Sequence, residues 1–210
     1  MTKAIAFVLA AFLVASCSSA GTTAPTASSV AVQAADVPNT MHRCSISGDI
    51  NAYLDNLKTK DPATYTATKA EWDDAQVKGA TAAQVVFYTD SAANCDTVAG
   101  AVSNLSAAAY PLVVNFSVQF KDEASAASGY SSGKIFGIDR SMLKANSAPV
   151  IEGAKTGLGP NSVVLSTAVL NQSFYIAVWQ NKAFMVILGI INLDAAIGQK
   201  VAEAENNRIK

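Results

Sequence analysis

The sequence predicts an α+β domain: an antiparallel β-sheet with flanking helices, built as a single domain after a signal peptide and a linker. Three observations lead there. A strictly alternating strand follows Pro111, three apolar runs joined by asparagine-bearing turns fill residues 163–190, and stripes of helical period lie on either side of them. With 210 residues, one domain plus a tail is the natural division. Half of the residues are apolar and 15% are charged, too apolar a mixture for a disordered chain. Lys and Arg number 15 against 16 Asp and Glu, which leaves no basic field for nucleic acid. A single histidine removes most metal sites and every triad that needs a well-placed imidazole.

The chain opens on Met1-Thr2-Lys3 and an eleven-residue apolar run, Ala4 to Val14. A bilayer core needs about 20 apolar residues, so this run suits the middle of an export signal instead. It ends in Val14-Ala15-Ser16-Cys17, which resembles the lipobox of bacterial lipoproteins at all four positions. That resemblance implies a signal peptide over residues 1–16, acyl chains on Cys17 and a chain held to the extracytoplasmic side of a membrane. Two or three acyl chains anchor firmly where one binds only marginally. Ordinary secretion with an incidental cysteine is the competing reading. Residues 17–40 are rich in Ser, Thr, Ala, Gly and Pro, with no aromatic residue, and are expected to form a flexible tether. The folded unit is then 41–210.

With Cys17 given to lipid, Cys44 and Cys95 remain as an even pair in an exported chain. A disulfide closing a loop of about fifty residues is expected, contributing on the order of 3–4 kcal/mol. Two buried free thiols, or a reactive thiol with His42 as its base, are the alternatives.

Ile50, Tyr53, Leu54 and Leu57 mark a short amphipathic helix over Asp49–Lys58. Asp61-Pro62 caps a second, running to about Lys78 with Tyr65, Trp72 and Val77 as its stripe. Gln84–Tyr88 reads as a strand, and Ser91–Leu105 as a helix containing Cys95, Val98 and Val102. Then Val114, Phe116, Val118 and Phe120 alternate with Asn115, Ser117, Gln119 and Lys121, which predicts one buried and one wet face. Asp122-Glu123 opens a helix to about Tyr130. Strands Val163–Leu170, Phe174–Gln180 and Phe184–Ile190 turn at Asn171-Gln172 and Asn181-Lys182, since asparagine accepts a left-handed backbone. Apolar residues on both faces of the last two strands predict cover on both sides, one cover being a final helix over Asp194–Arg208 with Ile197, Val201 and Ala204 inward.

Several motifs invite chemistry and fall to their spacing. Ser141-Met142-Leu143-Lys144 and Lys155-Thr156-Gly157 match the Ser-x-x-Lys and Lys-Thr-Gly elements of penicillin-binding proteins. Only about ten residues separate them, and the intervening Ser-x-Asn element is missing. Gly129-Tyr130-Ser131-Ser132-Gly133-Lys134-Ile135 is one residue short of a phosphate loop and has Ile135 where a metal-binding hydroxyl belongs. Glu71, Asp73 and Asp74 read as a solvated helix face, and His42 as a lone imidazole. No residue pattern calls for a cofactor or a metal.

Gly157-Leu158-Gly159-Pro160-Asn161 fits a sharp turn feeding a strand. A Gly-Leu-Gly turn, two or three strands and a last helix ending near an arginine resemble small actinobacterial lipoproteins and sensor ectodomains of Mog1/PsbP-like fold, over residues 110–210. The resemblance implies a sheet flanked by helices and a binding or scaffolding role, with no catalytic residue to transfer. The expected function is therefore a non-catalytic, membrane-anchored envelope lipoprotein that binds an envelope protein or cell-wall component. The alternative is a carrier of an apolar ligand such as a lipid, held between sheet and helices by Phe174, Trp179, Phe184 and Met185. A serine hydrolase using Ser141 with Lys144 is a distant third.

Overall fold

The computed structural model of the chain describes residues 24–135, 138–139, 143 and 149–209. Four long strands form its centre: β3 (Ala80–Thr89), β4 (Leu112–Phe120), β9 (Gln172–Asn181) and β10 (Phe184–Ile191). Outside them lie β8 (Ser162–Val169), as long as β10, and the short strands β1 (His42–Arg43), β2 (Gly48–Asp49) and β7 (Val150–Glu152). Every pairing is antiparallel, in the order β1-β3-β4-β10-β9-β8-β7, with β2 also on β3. A separate two-stranded ribbon joins β5 (Lys134–Ile135) to β6 (Ile138–Asp139).

The helices are α1 (Ala27–Val30), α2 (Ile50–Lys60), α3 (Pro62–Val77), α4 (Ala92–Gly100), α5 (Glu123–Ser131) and α6 (Ala195–Asn207). Their starts follow from capping chemistry. Asp49, Asp61, Ser91, Asp122 and Asp194 each accept a first-turn backbone N–H at the helix they begin. Pro62 sits in the first turn of α3, where a missing N–H costs nothing.

Strand alternation divides the interior in two. On β10, Met185, Ile187 and Ile191 join a core with Leu57, Trp72, Val98 and Ala126 from α2 to α5. Phe184, Val186, Leu188 and Ile190 face the other way and join Val201 of α6, Val30 and Val32. Helices therefore cover both faces, and the architecture is the α+β class the pattern predicts.

Five expectations are corrected. Residues 24–40 are not a tether: Ala27, Val30, Ala31, Val32 and Val37 are buried, packed as a strap across the second face. Cover by that strap and α6 leaves no wet face on β4, and Asn115 and Ser117 are both fully buried. The turns lie one residue away from the expected places, with Leu170 (φ 56°) and Lys182 (φ 46°) in the left-handed region. The two-residue turn lengths fix which positions must take that conformation, and the asparagines flank them. The helix through Cys95 stops at Gly100, and a 3-10 turn, Val102–Ala107, follows. Val77, counted as an inward residue of α3, is 88% exposed at the last position of the helix.

A candidate binding groove on the helical face

Cys44 and Cys95 are joined by a disulfide across 51 residues. Cys44 lies just beyond β1, its N–H donating to the Phe87 carbonyl at 2.9 Å, and Cys95 lies on α4. The bridge thus clamps α4 to the edge of the sheet, and α4 leads directly into the 3-10 turn.

That turn makes one wall of a half-open apolar groove of about 330 Å³. Val102 and Leu105 face Thr64 and Thr68 of α3 across it, and Phe116, Phe174 and Ile176 of the sheet form the floor. The walls are tied together by Asp61. Its carboxylate accepts the Thr64 hydroxyl at 2.7 Å and N–H at 3.2 Å, and lies near enough to the backbone N–H groups of Val102 and Ser103 to feel them. The Thr64 hydroxyl first, then these backbone donors, outweigh partial burial and hold the Asp61 carboxyl below its usual range. Phe116 is braced from behind by the edge-on ring of Tyr53, 5.9 Å away between centroids.

The hollow itself comes from Gly189. It is the only glycine in β10, Phe-Met-Val-Ile-Leu-Gly-Ile-Ile, and its register partners are Val114 and Ile176. Every other residue of that strand fills its place with a large apolar side chain, whereas a Cβ at Gly189 would meet only Val114 Cβ, at 4.0 Å. The groove is space that one missing side chain leaves between sheet and helix.

Of the four residues proposed to line an apolar cavity, Phe174 alone lines this groove. Trp179 and Phe184 belong to the core on the opposite face, and Met185, though on the near face, is buried in the filled part. Trp179 and Phe184 fall on the wrong face because adjacent strand residues point to opposite sides, whereas Met185 is on the right face but packed away from the hollow. Gly189 was missed in the sequence and is the signal that could have found the groove, because an isolated glycine in an apolar strand marks missing packing.

The remaining motifs take structural places. Gly129–Gly133 is a helix end and turn, with Gly133 at φ 81°. Gly157 and Gly159 both adopt positive φ in the turn before β8. Asp73 pairs with Lys69 and Asp74 with Lys78 on the exposed face of α3. His42 is exposed, its backbone paired with Thr89. Among the described residues no three His, Cys, Asp or Glu side chains gather as a metal site, and no helix is long and apolar enough to cross a membrane. Cys17, Ser141 and Lys144 lie outside the described residues.

These features define a disulfide-bonded α+β domain with an antiparallel sheet between two helical layers. No family model and no curated protein sequence matches the chain. Among solved structures it is similar to the extracellular domain of PknH from Mycobacterium tuberculosis, with 10% identity and a TM-score of 0.47, over 86% of this chain and 93% of that one.

Proposed function

We propose that this chain is a non-catalytic binding domain on the extracytoplasmic side of a membrane, moored by acyl chains on Cys17, and that the groove floored by Gly189 is where it binds. The single observation that supports the site is a half-open hollow lined mainly by apolar side chains. The Cys44–Cys95 disulfide supports the compartment, since such bridges persist where thiols are not kept reduced. The partner is an envelope protein or cell-wall component that inserts an apolar group.

The alternative, a lipid carrier, draws on the same groove. Its volume, about 330 Å³ and at the small end for ligand pockets, favours insertion of a single apolar group over a two-chain lipid.

Filling the groove from below tests the reading. Gly189→Val adds a side chain that strands favour at a position with room for it. A photocrosslinker at the exposed rim residue Ser106 of the full-length lipidated protein is expected to capture a partner in cells, and Gly189→Val is expected to abolish capture without lowering the unfolding midpoint. Equal capture by both proteins, or none above background, overturns the proposal. A lipid adduct in native mass spectra of the detergent-extracted protein would favour the carrier instead.

A further inference from the structure

The face of the sheet opposite the groove holds a second half-open hollow, of about 280 Å³. Strand alternation puts Gln84, Val86 and Tyr88 of β3 on its floor. Arg43 of β1 is the register partner of Tyr88, so its side chain leaves the sheet on the same face and makes one wall. The strap makes the other wall, with Ala31 and Gln33. Polar groups converge here without partners. Gln84 is 9% exposed, and its side-chain amide makes no hydrogen bond among the described residues. Its register partner on β4, Ser117, is fully buried with an unpaired hydroxyl. Arg43 forms no ion pair among the described residues, and the Tyr88 hydroxyl no hydrogen bond. Gln33, by contrast, spends its amide on the carbonyls of Ser28 and Ala31, at 3.0 and 2.7 Å. Buried polar groups are ordinarily paired, and one left unpaired costs the fold its hydration. Gln84 and Ser117 carry that cost beside a hollow whose exposed side holds an uncompensated cation. The nearby acids are engaged elsewhere. Asp36 grips Arg208, and Asp49, the register partner of Gln84, accepts the Asn51 and Ala52 N–H groups as the cap of α2.

We propose that this hollow binds the carboxylate and adjoining amide of a small N-acylated amino acid, either free or as the C-terminal residue of a peptide. One uncompensated guanidinium matches a monoanion, and its planar fork fits the two oxygens of a carboxylate. The Gln84 side chain both donates and accepts, so it pairs with the amide next to that carboxylate. Ala31 and Val86 offer an apolar surface to a short side chain, and the volume suits a small residue. The site lies on the other face of the sheet from the groove floored by Gly189 and does not depend on it. Because the strap is one of its walls, an occupied site also ties the strap to the edge of the sheet.

Calorimetric titration of the full-length protein in detergent with N-acetylalanine of each hand, and with the corresponding carboxamide, tests this. One acid is expected to bind about tenfold or more tightly than its uncharged amide. Arg43→Gln, at an exposed position, is expected to weaken that binding about tenfold, with Arg43→Lys between because it keeps the charge without the fork. Gln84→Leu is expected to abolish binding without lowering the unfolding midpoint, since it replaces an unpaired buried amide by an apolar group of similar size. Amide exchange over residues 28–33 is expected to slow when the acid is bound, and exchange over 102–106 to stay the same. Acetylated trialanine separates the two sources: tighter binding than N-acetylalanine supports a peptide end, equal or weaker binding a free acid. Acid and carboxamide binding alike, Arg43→Gln binding as the wild type does, or no binding of either acid at millimolar concentration overturns the proposal. Slowing at 102–106 in place of 28–33 overturns the site, and inorganic phosphate binding more tightly than the acids overturns the carboxylate assignment.

Discussion

Glu205 is fully buried on the face of α6 that meets the sheet. Both its oxygens accept from Asn115 Nδ2 at 3.0 Å, while Asn115 Oδ1 takes the Val32 N–H at 3.1 Å. Burial drives the carboxyl well above its usual range; the Asn115 bond and the Arg208 charge oppose this, and Asp36 adds to it. A carboxyl whose folded pKa is raised stays protonated in the native state after the unfolded chain has ionised. Its contribution to stability is intact below the unfolded value of about 4.5 and declines as pH rises towards the folded one. Glu205→Gln keeps the shape without the ionisation. Chemical denaturation from pH 4 to pH 9 is expected to show the variant gaining on the wild type as pH rises, the two converging at the acid end. A difference that does not change with pH would mean that Glu205 is ionised in the folded protein.

Among the elements, the strap owes its place to Arg208 at the end of α6. The guanidinium donates to the carbonyls of Val30 and Ala31, both at 3.1 Å, and grips both oxygens of Asp36 at 3.0 and 2.7 Å. The Asp36 side chain is only 8% exposed, so removing its partner leaves a charge largely out of water. Arg208→Ala is expected to cost about 3–5 kcal/mol. Amide exchange over residues 27–37 is expected to accelerate more than exchange in β4 or β10. Arg208→Lys keeps the charge without the paired geometry and is expected to fall between. Sequence reading missed this element for a physical reason. Residues 18–39 contain one charged side chain, Asp36, and its partner is 172 positions away. Composition reports what a segment can bury by itself, and this segment is stabilised by groups at the other end of the chain. The same distance explains β4, where Asn115 and Ser117 read as solvent-facing until a strap and a helix remote in sequence cover them. Capping residues and strand alternation were legible because both act within a few positions, and so were all five long helices and the four central strands. The groove was legible only in part. Phe174 was named as a lining residue, but Gly189 carries its signal as an absence among large neighbours.

For the molecule as a whole, the Cys44–Cys95 bridge joins the two themes of the fold: a sheet covered on both faces, and a groove whose wall leads on from the clamped helix. The crosslink closes 51 residues that include α2, α3 and β3. Loop entropy assigns it about 3–4 kcal/mol, a large share of the 5–15 kcal/mol that holds a typical domain together. The central sheet does not depend on it, since β4, β9 and β10 pair outside the closed loop. Cys44→Ala with Cys95→Ala is therefore expected to leave a folded protein, with its unfolding free energy reduced by about that amount and a steeper denaturant slope, because the uncrosslinked denatured chain exposes more surface. The loss is expected to be uneven: α4 and the 3-10 turn should gain exchange most, because the bridge alone ties that corner covalently to the strand edge. Ligand capture at the groove should then weaken more than stability does, since Val102 and Leu105 lose their fixed position against Thr64 and Thr68. A double variant that loses stability evenly, with capture at Ser106 unchanged, would show that the wall of the groove is held by packing and by Asp61, independent of the bridge.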